Sequence, residues 1–119
     1  FGDKKSTDDT FPINAIAWRA ALDIAALLPL SNVDTFSGSI VTEWYSLPDQ
    51  PNERIKLTIF VVGKELRSDS VSVRVHVQRK SEAGWNDVGR DKDLARKIEE
   101  LILARARELR ATAVTETKE

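Results

Sequence analysis

The stretches Arg54-Ile55-Lys56-Leu57-Thr58-Ile59-Phe60-Val61-Val62 and Val71-Ser72-Val73-Arg74-Val75-His76-Val77-Gln78-Arg79 decide the fold. Both alternate apolar with polar positions, the period of a strand whose two faces meet different surroundings. Ile55, Leu57, Ile59 and Val61, with Val71, Val73, Val75 and Val77, are expected to face a core. Lys56, Thr58, Phe60 and Val62, with Ser72, Arg74, His76 and Gln78, are expected to face away from it. Gly63 and a charged run from Lys64 to Ser70 join the two, with Leu66 turned back towards the apolar side. A connection this short requires antiparallel neighbours, because parallel pairing needs a crossover of a dozen or more residues.

Two shorter strands flank this pair. Ser39 to Ser46 alternates β-formers, and burying Glu43 unpaired would be costly, so Ile40 and Trp44 are expected inward and Val41, Glu43 and Tyr45 outward. Leu47 to Glu53 is a loop stiffened by Pro48 and Pro51. On the other side, Ser81-Glu82-Ala83-Gly84 turns the chain into a short strand around Trp85 to Val88. Leu30 to Ser39 reads as a connection, with turn chemistry at Ser31-Asn32 and Ser37-Gly38.

Helices close both ends. Pro12 suits a first helical turn, and Ile13 to Leu28 is rich in alanine and leucine, with Asn14, Arg19 and Asp23 its plainly polar side chains. Such a helix is buried on more than one side; Arg19 and Asp23, four apart, can pair on its wet edge, and Pro29 stops it. Asp91 is a candidate N-cap for a second helix from Lys92 to Arg110, whose stripe of Leu94, Ala95, Ile98, Leu101, Ile102, Ala106 and Leu109 docks one face. The expected architecture is an α+β two-layer sandwich, order α-β-β-β-β-α, an antiparallel sheet with both helices on one face. Residues 1–11 read as a polar linker, 12–110 as a single domain and 111–119 as a flexible tail.

The chain has 119 residues, enough for one domain, and 18 Lys and Arg against 19 Asp and Glu give a formal charge of -1. Near-neutrality argues against a dedicated nucleic-acid binder, which carries a basic excess. No apolar run approaches the roughly 20 residues that span a bilayer. There is no cysteine and one histidine, His76, which removes thiolate chemistry and any site needing two imidazoles. His76 sits on a flat strand face beside Arg74 and Gln78, where no cleft or carboxylate is in prospect to make it a base. Asp8-Asp9 and Glu99-Glu100 lie in a linker and on a solvated helix face, and no phosphate loop, nucleophile elbow or metal-ligand spacing occurs. No enzyme, cofactor or metal site is expected. The outward face is the remaining candidate: Tyr45, Lys56, Phe60, Arg74 and His76 would form a small amphipathic patch suited to anchoring a partner protein. An apolar first helix also leaves room for a rival expectation, a lipid or small hydrophobic ligand carried between that helix and the sheet. Trp18 and Trp44 are expected in the core between them. Nothing in the sequence sets an oligomeric state.

The order of several short motifs adds to this reading. Ile13-Asn14-Ala15, Trp18-Arg19-Ala20, Leu22-Asp23 and Pro29-Leu30 are followed by Thr42-Glu43-Trp44-Tyr45, Pro51-Asn52-Glu53-Arg54, Lys56-Leu57-Thr58 and Glu65-Leu66-Arg67. The series ends at Ala104-Arg105-Ala106-Arg107-Glu108-Leu109-Arg110. Over Ile13 to Arg110 the chain thereby resembles a family of uncharacterised alphaproteobacterial lipoproteins, known only as a domain of unknown function. The resemblance implies a secreted precursor with a lipid-modified cysteine ahead of Phe1, residues 1–11 as a tether, and a periplasmic domain anchored to the outer membrane. It implies an envelope protein as partner, membrane contact only through that anchor, and no nucleic acid. It carries no functional residues with it. The chain starts at Phe1 and contains no methionine, consistent with a leader removed upstream.

Overall fold

Alternation becomes sheet and helical periodicity becomes cover in the computed structural model, which describes residues 13–118, with side-chain surroundings given as far as residue 113. The elements are α1 (Ala15–Ala25), β1 (Leu30–Asp34), β2 (Ser39–Thr42), β3 (Glu53–Val61), β4 (Val71–Ser81), β5 (Gly84–Arg90) and α2 (Lys92–Lys118). The strands form one antiparallel sheet in the order β1-β2-β3-β4-β5. Both helices cover the same face, giving the α+β two-layer sandwich that the pattern implies. The sheet has five strands rather than four because the segment read as a connection, Leu30 to Ser39, is itself a hairpin. Its strand is short, mostly exposed and bulged between Leu30 and Asn32, so it carries almost no apolar alternation. The Asp34 carboxylate accepts the backbone N–H groups of Phe36 and Ser37 at the turn.

The two central strands pair from Glu53↔Arg79 to Val61↔Val71 without interruption. Their inward set is sealed: Leu57 is 2% exposed, Val73 5%, and Ile59, Val61 and Val75 are fully buried. Phe60 and His76 remain half-exposed on the opposite face. Gly38 supplies a close approach, with φ of 71° and its carbonyl accepting the Val61 N–H at 2.8 Å; a side chain there would run into the Val61 carbonyl oxygen.

α1 starts later than Pro12, which lies outside the described residues. Asn14 caps it, accepting the Ala17 N–H at 2.9 Å through its side chain and donating to the Lys64 carbonyl. Ala17, Ala20, Ala21 and Ala25 have no accessible surface, nor does Ile40 across from them. The small alanine side chains let the helix lie directly on the sheet. Trp18, 7% exposed, fills the core as expected.

Asp91 caps α2 as its position suggests, accepting the Leu94 N–H at 3.0 Å. The helix runs beyond Arg110 to Lys118, since neither glycine nor proline interrupts Ala111-Thr112-Ala113-Val114. Arg105 joins the helices through Asp23, Nε to carboxylate 2.9 Å, and Asp23 also pairs with Arg19. Donating a hydrogen bond to Asp23, and then one to Glu108, raises the Arg105 pKa above its ordinary value. Glu99 reaches around the sheet edge to accept the Val73 N–H at 2.8 Å, where β5 no longer accompanies β4. The Asp91 N–H, donating to the Val75 carbonyl, closes the next position along that edge.

Candidate functional site: the outer sheet face

Between β2 and the loop that follows, the alternation is broken by one residue. Thr42 is fully buried, and its hydroxyl accepts the Leu57 N–H while donating to the Glu43 carbonyl, both at 2.9 Å. Tyr45 and Ile55 then exchange both backbone hydrogen bonds at 2.8 Å. Two residues, Glu43 and Trp44, thus oppose the single Lys56, which is a β-bulge. Directly paired residues share a face, so Tyr45 joins Ile55 on the helix side, where Ile55 packs against the core. Trp44 turns outward instead. The expectations of an outward Tyr45 and a core Trp44 are both corrected by this bulge, which no residue type announces.

The outward Trp44 completes a stack. The Arg54 guanidinium lies 4.9 Å from the centroid of Trp44 and 4.3 Å from that of Trp85. Lys56 approaches Trp44 at 5.7 Å and Lys80 approaches Trp85 at 5.9 Å. Arg54 is further fixed by donating to Gln78 at 2.7 Å, while the Gln78 amide donates to Asp87 at 2.7 Å. Arg74 lies 5.2 Å from the Phe60 ring.

Register places the remaining polar groups in rows across the strands. Lys56 on β3 pairs with His76 on β4, and His76 pairs with Arg90 on β5. The adjacent row holds Thr58 and Arg74, and the Thr58 hydroxyl lies 3.3 Å from His76 Nε2. Trp44, Lys56, Arg74, His76 and Arg90 line a shallow cleft of about 700 Å³, with Asp87 the only acidic wall residue among the described residues.

Arg54, Lys56, Arg74, Lys80 and Arg90 form no ion pair among the described residues; the ion pairs are elsewhere, on Arg19, Arg67, Arg79, Arg96 and Arg105. Unpaired cations held on aromatic faces keep their outward hydrogen-bonding capacity for a ligand. His76 faces a hydroxyl, and no group of three metal-ligating side chains occurs among the described residues.

Of the residues expected here, Lys56, Arg74 and His76 converge on the cleft. Phe60 sits outside it under Arg74. Tyr45 lies on the other face. Trp44, Arg54, Trp85 and Arg90 belong to the surface and were missing from the expected set. Arg90 could have been found by letting the last strand run on to Asp91, since Gly89 adopts φ of 105° at a bulge without ending the ladder.

The fold and this face define a small two-layer α+β domain whose distinguishing surface is a cationic, aromatic-backed sheet. More particularly, the chain belongs to the family described as Domain of unknown function (DUF3576), whose sequence profile matches residues 11–111. It is similar to the uncharacterized protein RP420 of Rickettsia prowazekii (strain Madrid E), with 32% identity over 102 residues, 86% of this chain and 61% of that protein. The chain thus spans about three-fifths of that relative's length. The relative fits the alphaproteobacterial family that the sequence motifs resemble. No solved structure matches the chain.

Proposed function

We propose that this chain is a non-enzymatic interaction domain of the bacterial envelope, which docks on a partner protein through its outer sheet face. The observation that carries the reading is the set of five cations on one face that form no ion pair among the described residues, in a molecule whose net charge is -1. Placing so many like charges on one sheet has a repulsive cost, and a partner that neutralises them gives that cost a use. The face also offers the aromatic and arginine side chains that concentrate binding energy at interfaces.

Periplasmic placement and a lipid anchor belong to the same reading. They rest on the family's resemblance to secreted lipoproteins, with residues 1–11 as the tether. The role follows from the placement: an accessory module in envelope assembly or maintenance.

Photo-cross-linking in cells that produce the full-length protein tests the reading. A photoreactive residue at Thr58 or Ser72, both on the outer face, is expected to give a discrete protein adduct in the membrane fraction. The same residue at Arg96 or Glu100, on the exposed side of α2, is expected to give none. Adducts confined to α2, or a protein found wholly in the cytosol, would overturn it.

A further inference from the structure

We infer that the cleft lined by Lys56, Arg74, His76 and Arg90 binds a carboxylate-rich peptide segment of its partner. The inference rests on the partner-docking reading of the outer face and adds the chemistry of what docks there.

Charge complementarity sets the class. Three cations from three adjacent strands, Lys56 on β3, Arg74 on β4 and Arg90 on β5, line one cleft, where Asp87 is the only carboxylate among the described residues and already accepts from Gln78. None of the three forms an ion pair among the described residues. A row of neighbouring strands at about 4.8 Å spacing puts Lys56 and Arg90 about 10 Å apart on either side of His76. Successive outward side chains of an extended peptide, about 7 Å apart, can reach the cations from within that span. The guanidinium groups accept carboxylates in bidentate geometry, and the His76 imidazole adds a donor between them.

The aromatic rings favour a peptide over a single-stranded nucleic acid. A strand binds such platforms by stacking its bases on open ring faces. Here Arg54 lies between Trp44 and Trp85, Lys56 and Lys80 attend the same two rings, and Arg74 lies over Phe60. Each of these rings already carries a cation, which a base would have to displace or share the ring with in order to stack. A concave cleft walled by an indole also fits an extended segment better than the plane of a membrane.

The test uses fluorescein-labelled poly-L-glutamate as probe, with a poly-dT oligonucleotide of equal charge and phosphatidylglycerol vesicles as competing arms. Saturable binding of polyglutamate is expected, weakening as salt rises from about 50 to 300 mM because the charges are exposed and screened. Arg74→Gln and Arg90→Gln are each expected to weaken it about fivefold, as for a lost exposed ion pair. The combined Lys56→Gln, Arg74→Gln, Arg90→Gln protein is expected to show no saturable binding, with an unchanged melting temperature. Lys97→Gln, on the exposed side of α2, should bind as the parent does. Failure to bind polyglutamate, binding that survives the triple substitution, or tighter binding of poly-dT or vesicles overturns the inference. If polyglutamate fails while Thr58 and Ser72 still cross-link to a protein, the acidic class falls and the docking surface stands. If both fail, the docking surface falls too.

Discussion

Thr42 is the residue on which the candidate site turns. It stands where a continuing strand would supply a backbone carbonyl, and it offers its hydroxyl to the Leu57 N–H instead. Thr42→Val keeps the shape and removes the acceptor, leaving a buried amide unpaired. The expected loss is about 1–3 kcal/mol of stability by urea unfolding, with a changed near-ultraviolet signal as Trp44 loses its fixed setting. The two tryptophans expected in the core separate the same way. Trp18→Ala empties a buried position and should cost about 3–5 kcal/mol, while Trp44→Ala removes exposed cation–π contacts and should cost about 1 kcal/mol. Equal costs would mean that Trp44 is core after all. At this scale the sequence showed residue types but not orientation: Trp44 and Tyr45 exchange faces through a bulge stabilised by a hydroxyl, and threonine is ordinary in any strand.

Elements were legible where burial is one-sided and unbroken. In β3 and β4 the apolar set can face only one way without exposing Leu57, Ile59 and Val75 together. α1 and α2 were legible for the same reason at helical period. β1 was not, because an edge strand that buries little has no pattern to show: Leu30-Ser31-Asn32-Val33-Asp34 is turn-like in composition and is held by its pairing with β2. The edge of β4 makes a prediction at this scale. Glu99 and the Asp91 N–H satisfy the groups that β5 leaves behind. Glu99→Ala should free the Val73 amide, speed its hydrogen exchange and cost about 1–2 kcal/mol. An unchanged exchange rate would mean that the amide is protected by something other than the carboxylate. That stretch of β4, closed in this way, is a poor template for strand addition.

For the whole molecule, net charge concealed the arrangement that matters. Eighteen basic and 19 acidic residues nearly cancel, yet Asp23, Glu53, Glu65, Asp69, Asp93 and Glu108 pair with arginines on the helices, loops and inner sheet face, while Arg54, Lys56, Arg74, Lys80 and Arg90 form no ion pair among the described residues. A sum over the chain carries no information about segregation; only the register of β3, β4 and β5 brings those residues together. The near-neutrality that argued against a dedicated nucleic-acid binder therefore describes the chain and not this face. The protein should accordingly bind a cation exchanger more strongly than its formal charge of -1 suggests, and lose that retention when Lys56, Arg74 and Arg90 become glutamine. Retention unaffected by those changes would place the positive field elsewhere.

The most direct measurement joins face and partner: photo-cross-linking from Ser72 in the full-length protein, with and without the Lys56→Gln, Arg74→Gln, Arg90→Gln substitutions. The cationic face predicts a discrete protein adduct from the parent and its loss from the substituted protein at equal abundance and equal melting temperature. An adduct of the same size and yield from both proteins would contradict it.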